Sequence, residues 1–319
     1  MEKYRKFADP ATSCNPFLPI HLVVPSSSDS VSRFLCIFFN GLLAPLKLAV
    51  FVVAAILLLV QDVLSRVPVI SLLLVQPIIR SLMCWLVLAS IGIYAPFVMS
   101  VEDFRRLQVK RPDGKHKPRV ATLSTYHGFI DILVYAVILR PSCFVFRSLD
   151  NGNIVCITVI GAILTALKTP MISHPGSKRV DLPRNALVFM SPSPTNGLGL
   201  LKLDSAGLEF PLDPSFVQVS SIQYACSGFY YPHHLTQTFG SHLMKLAMSN
   251  WFCTVRVKVL PEAIEVKLPD DLSKVRTLMS RLSSPPAVET SIEPKTYIEF
   301  KDYWKETQSL TYGSRRRFI

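Results

Sequence analysis

The chain has no CxxC pair, and its seven cysteines, at positions 14, 36, 84, 143, 156, 226 and 253, stand singly. An odd count without paired spacing argues against a zinc ribbon or a disulfide framework. It reads as reduced, mostly buried thiols of a cytosol-facing protein. Acidic residues are scarce: 22 Asp and Glu stand against 34 Lys and Arg, a formal net charge of +12 over 319 residues. The opening Met-Glu-Lys-Tyr is not followed by a short apolar core with a small-residue cleavage site. Residues 1–33 therefore read as a polar entry segment lying along a membrane, not as a signal peptide. No internal repeat is present, which sets solenoids aside.

The positive charge falls in three clusters: Lys3, Arg5 and Lys6; a run from Arg105 and Arg106 through Lys110, Arg111, Lys115 and Lys117 to Arg119; and Arg315-Arg316-Arg317. No aromatic-interleaved motif accompanies them, so nucleic acid is not the expected partner. Two clusters flank an apolar belt, which suits an anionic lipid surface.

That belt spans 34–101 and explains why half of the residues are hydrophobic and the mean hydropathy is +0.35. Residues 48–61 carry no charge, and 81–101 are uncharged over about the 20 residues that a bilayer crossing requires. Asp62, Arg66 and Arg80 lie between them, and Pro45, Pro68, Pro77 and Pro96 interrupt the helical pattern. Basic flanks on both sides place both ends in the cytosol. The broken pattern favours a monotopic hairpin or wedge over two full spans.

A basic connector, 102–119, leads into 120–262, where strand-like and helix-like patterns alternate. The spacing predicts strands over 120–125, 143–147, 171–172, 186–190, 216–224 and 254–260, and helices over 128–139, 154–167 and 235–248. That is the pattern of an α/β domain with helices flanking a sheet. Residues 263–319 read as a polar C-terminal segment with a basic tail.

The chemistry-bearing stretch is Tyr126-His127-Gly128-Phe129-Ile130-Asp131, at the turn from the first strand into the first helix. Positions four apart on a helix have Cβ atoms about 5–6 Å apart. Asp131 can therefore orient His127 and raise its basicity, as a general base needs. The alternative is a carboxylate that only caps the helix beside an ordinary loop histidine. His233, His234 and His242 have no carboxylate or thiol partner at metal-ligand spacing and read as helix-surface histidines, so no metal is expected.

In order and spacing, this turn, Phe144-Val145-Phe146-Arg147, and Leu187-Val-Phe-Met-Ser191-Pro-Ser193-Pro-Thr195-Asn196-Gly197 behind an apolar belt resemble the PlsC-like glycerolipid acyltransferases. This is the lysophosphatidic acid acyltransferase family, and the resemblance covers roughly residues 1–262. The opening Met-Glu-Lys-Tyr with Asn15-Pro-Phe-Leu-Pro19 is similar to a fungal branch that uses oleoyl-CoA and is linked to vacuolar protein sorting. Ancient ubiquitous protein 1, with its hairpin and degenerate acyltransferase domain, is a more distant likeness.

The resemblance implies a mixed sheet flanked by helices, with lysophosphatidic acid and acyl-CoA as substrates and no cofactor beyond that co-substrate. His127 would deprotonate the acceptor hydroxyl and Asp131 would orient it. Arg147 and the loop bearing Ser191, Ser193, Thr195, Asn196 and Gly197 would hold the acceptor phosphate. It also implies residence on endoplasmic reticulum and lipid droplets, with the catalytic domain facing the cytosol.

The sequence departs from the family pattern in two places. The family has His-x4-Asp, and here that register holds Tyr126, while His127 makes His-x3-Asp. Where the family has Pro-Glu-Gly-Thr, this chain has Ser191-Pro-Ser-Pro-Thr195. The Glu is absent, and Pro192 and Pro194 lack the backbone N–H that cradles a phosphate. Two functions follow: an acyltransferase, or a catalytically silent relative that binds lipid or recruits partners on the same membranes.

Overall fold

The structure, a computed structural model, describes residues 2–19, 30–65, 76–94, 121–149, 153–167, 185–203, 215–226, 238–249, 253–260, 263–266, 271–283 and 286–315. The basic connector, the strand expected at 171–172, and His233 and His234 lie outside them.

Short runs rich in β-branched and aromatic residues become strands because such side chains pack well on a pleated, buried surface. In the centre is β1 (Ala121–Ser124), with β4 (Leu187–Phe189) and β2 (Phe144–Arg147) to one side and β6 (Ser215–Cys226) to the other. These four run parallel. Antiparallel strands finish the sheet: β3 (Ile154–Ile157) on β2, and both β7 (Cys253–Val259) and β8 (Ile264–Val266) on β6, while the short β5 (Gly199–Leu200) pairs apart from it with Val288 and Glu289. The expected α/β class with a mixed sheet flanked by helices is therefore what the chain forms.

Strand side chains alternate between faces. Phe144, Phe146, Leu187, Phe189, Ile222 and Tyr224 enter a core shared with α2 (Gln76–Ser90), α3 (Phe129–Ile138), α4 (Val159–Leu167) and α5 (Phe239–Ser249). Leu123, Val145, Val188, Val217 and Val219 face the opposite way, onto Val275 and Met279 of α6 (Leu272–Leu282). The result is three layers with the sheet in the middle.

Four expectations change. Residues 154–157 form a strand, and the helix begins only at Val159, because an apolar run by itself does not distinguish the two and pairing with β2 decides it. Cys143 and Cys156 are disulfide-bonded with Cα atoms 6.1 Å apart, and Cys253 is also disulfide-bonded, so these are not reduced thiols. Cross-strand pairing brings 143 and 156 together, a proximity that spacing rules keyed to CxxC do not register. Cys14 and Cys84 are free.

The polar ends are also structural. Beyond 262, β8 extends the sheet and α6 caps one face of it. Tyr297 and Phe300 of α7 (Thr296–Arg315) pack with Tyr4, Phe7 and Phe17, so the entry segment docks on protein through its aromatic residues. Asp9 ties the same two regions: it accepts hydrogen bonds from the Thr12 N–H (3.0 Å) and from the Ser291 N–H (2.8 Å).

Last, the two arms of the apolar belt differ among the described residues. Among the described residues, one helix, α1 (Ser30–Ser65), is long and apolar enough to cross a membrane by length and composition, over Phe38–Leu64. The second arm, α2, has 15 residues and is built into the core through Cys84, Val87 and Leu88. Along α1, Asn40, Ala44, Lys47, Ala54 and Leu58 form a buried stripe at helical spacing. Lys47 Nζ donates to Asn40 Oδ1 (2.6 Å) and to the Ala247 carbonyl near the C-terminal end of α5 (3.2 Å). A cation there satisfies a carbonyl the helix leaves open and complements the helix dipole. Away from that stripe, Leu42, Leu46, Val53 and Val60 are exposed, while Leu48 and Phe51 pack partly buried against the core.

Candidate active site

Because β1, β2 and β4 run parallel, their carboxyl ends share one edge of the sheet, where ligands bind in open α/β folds. The turn 125–128, Arg147 and the loop 190–198 all lie on that edge. Backbone bonds stitch two of them together: Met190 N–H donates to the Ser124 carbonyl (3.0 Å), and Thr195 N–H to the Tyr126 carbonyl (3.0 Å). On the other side β6 runs on past the end of β1 and carries Tyr224 to the turn.

At the turn, His127 Nδ1 stands 3.2 Å from Asp131 Oδ2. The same carboxylate oxygen accepts the backbone N–H of His127 at 2.6 Å. Tyr224 O–H donates to the other oxygen, Oδ1. Asp131 therefore bonds the backbone of the turn that leads into α3 and also contacts the imidazole. His127 is 3% exposed and Asp131 is fully buried. With Nδ1 turned to Asp131, Nε2 is the nitrogen on the far side of the ring.

The residues around this pair are polar in a dry setting. Burial, and then the charge of Asp131, push the Tyr224 phenol well above its ordinary range, so it stays a proton donor. Tyr135, one turn further along α3, contacts Ser124 Oγ and Ser220 Oγ, the latter at 3.2 Å, and its phenol is likewise raised by burial. Gly128 caps α3 with φ 162°, an extended conformation, so the turn does not draw on glycine's left-handed freedom.

The shifted register is resolved by packing. Tyr126, with four residues between it and Asp131, packs its ring against Phe146 and Phe189, with centroids 5.6 and 5.0 Å away. That leaves His127 as the residue at Asp131.

Loop 190–198 is more deeply committed than a surface loop. Ser193 Oγ donates to the Pro294 carbonyl (2.8 Å), and Asn196 Nδ2 donates to the carbonyls of Asn15 (3.0 Å) and Leu18 (2.8 Å). Asn196 Oδ1 accepts the Leu198 N–H, and Thr195 Oγ1 accepts that of Gly197. Ser193 and Asn196 thus hold the frame. Ser191 and Thr195 line a narrow pocket with Thr125, Tyr126, Met190 and Arg276. Arg147 is the last residue of β2, half-buried and two strands from β1.

Two residues here escaped sequence reasoning. Tyr224 lies on a strand read only for its apolar pattern. Arg276 lies on a helix in a segment read as a polar tail, and its guanidinium donates to the carbonyls of Leu200 (2.8 Å) and Thr290. His242 also changes status: it is fully buried, its ring 6.0 Å from that of Phe129, and is not a helix-surface histidine. Among the described residues no group of three His, Cys, Asp or Glu is placed to hold a metal.

Comparison of the chain with protein-family models, with curated proteins and with solved structures finds no match.

Proposed function

We propose that the chain is a membrane-bound, acyl-CoA-dependent lysophospholipid O-acyltransferase, with lysophosphatidic acid as acceptor and an acyltransferase-like α/β domain. The observation that carries the reading is His127 Nδ1 at 3.2 Å from a buried carboxylate that accepts the His127 N–H and the Tyr224 O–H. In the reaction, His127 Nε2 takes the proton of the acceptor hydroxyl while that oxygen bonds to the thioester carbon. The tetrahedral intermediate collapses, the C–S bond breaks, and the CoA thiolate leaves with the proton carried by the imidazolium. A thioester is already activated, so a base and no metal suffices. Arg147, with Ser191 and Thr195, is assigned to the acceptor phosphate.

Membrane residence is assigned to α1. Its buried stripe from Asn40 to Leu58 runs about 27 Å at 1.5 Å per residue, and its opposite side is apolar and exposed. Such a helix lies along one leaflet with the domain attached. We assign it to the cytosolic face of endoplasmic reticulum and lipid droplets.

The burial of both members of the pair favours a second reading, a silent relative that binds lipid or recruits partners with an effect on vacuolar sorting. Labelled oleoyl-CoA and lysophosphatidic acid, given to purified protein in micelles, decide between them. Ester formed by the native chain and lost in His127→Ala supports the enzyme. Absence of ester with any lysolipid supports the silent module. Ester that survives His127→Ala overturns His127 as the base.

A further inference from the structure

We infer that Tyr224 is a positioning residue: its phenol fixes the rotation of Asp131 and so holds the carboxylate against His127. The inference extends the acyl-transfer reading to a residue outside the family motifs, and its first test does not depend on activity.

The geometry divides the two carboxylate oxygens. Oδ2 faces His127, through both the ring Nδ1 and the backbone N–H, and Oδ1 faces Tyr224 alone among the described hydrogen bonds. A carboxylate rotates about its Cβ–Cγ bond unless both ends are held. Tyr224 supplies the second hold from β6, an element 93 residues away in sequence. Its ring also stands edge-on to the imidazole, centroids 6.3 Å apart, so one side chain braces both partners.

The other titratable groups packed around α3 have different duties. Tyr135 on α3 itself is turned to Ser124 and Ser220. His242 on α5 meets Phe129. On α2, Cys84 sits in the shared core, and Arg80 donates to the Pro141 carbonyl (3.4 Å). A donor to a carboxylate lowers the proton affinity of whatever pair that carboxylate belongs to, wherever the proton resides. Removing the Tyr224 hydroxyl therefore makes the pair protonate at higher pH. Strengthening it as a donor does the reverse.

The test uses the full chain in micelles with isotope-labelled histidine. The His127 resonance is identified among seven histidines by its loss in His127→Gln. In Tyr224→Phe the midpoint of the His127 titration moves up by about one pH unit, the size expected for one hydrogen bond to a charged group. With 3-fluorotyrosine, a more acidic phenol, in place of Tyr224, the midpoint moves down. Tyr297→Phe, a buried tyrosine in another cluster, leaves it in place. Opposite shifts are not produced by loss of packing, and fluorotyrosine keeps the ring if the Phe variant does not fold. A midpoint that stays fixed in both Tyr224 variants overturns the inference. Where ester formation is measurable, the acid limb of kcat/KM follows the same shifts, and an unmoved limb also overturns it. A chain that makes no ester but shows both titration shifts overturns the acyl-transfer reading while leaving Tyr224 in this role.

Discussion

His127 and Asp131, with three residues between them, meet at 3.2 Å because the turn ends where α3 begins and one helical turn brings the carboxylate back beneath the imidazole. In the proposed acyl transfer, Asp131→Asn keeps the shape and removes the charge assigned to supporting the imidazolium. Turnover with oleoyl-CoA should fall by about 10²–10⁴-fold, the usual range for general-base assistance, with KM little changed. Steady-state kinetics on the two proteins check this.

Asp9 gives a pH prediction with a defined sign. Hydrogen bonds from the Ser291 side chain and backbone, and from Thr12, hold its carboxyl well below the ordinary carboxylate range. A depressed folded value contributes stability that is fully present above the unfolded value of about 4 and is lost as the pH falls from there. Asp9→Asn should therefore melt below the native chain at pH 7, and the two curves should converge in acid. A thermal melt series from pH 7 to pH 3 measures it.

Asn196 links the loop after β4 to the entry segment through two carbonyls. Asn196→Ala leaves the buried Asn15 and Leu18 carbonyls and the Leu198 N–H without their partner. A loss of about 2–4 kcal/mol follows at about 1–3 kcal/mol for each unsatisfied buried group, discounted for partial relaxation. Chemical unfolding in micelles reads it.

The exposed side of α1 is tested by charge. Leu42→Asp with Leu46→Asp places two carboxylates on the outward face, where they meet no protein. The pair should release a large fraction of the protein from vesicles in a flotation assay without changing its melting in micelles. Unchanged flotation would mean that another surface binds the bilayer.

What the sequence made legible was local. The β-branched run at 120–125 followed by an apolar 3.6-residue period marked a strand, a turn and a helix, and four-residue spacing marked the pair. The sheet face on which Tyr224 stands was not legible. Ser220, Ile222 and Tyr224 share one side of β6 by alternation, but only the parallel pairing of β6 with β1 turns that side toward α3. The polar tail misled for a related reason. Its buried residues, Val275, Met279, Tyr297 and Phe300 among them, are separated by charge, and their importance comes from distant partners. In the belt, hydropathy registered the long α1 but missed that Lys47 has a protein partner.

That partner carries a consequence for how the molecule is made. Lys47 and Ala247 are 200 residues apart. At about 5–20 residues per second of synthesis, roughly 10–40 s separate their appearance. Throughout that interval α1 is a complete apolar helix with a lysine on its inner side and no α5 to receive it. Docking of α5 on Lys47 is thus a late step, open to the chain only once residue 247 has been made.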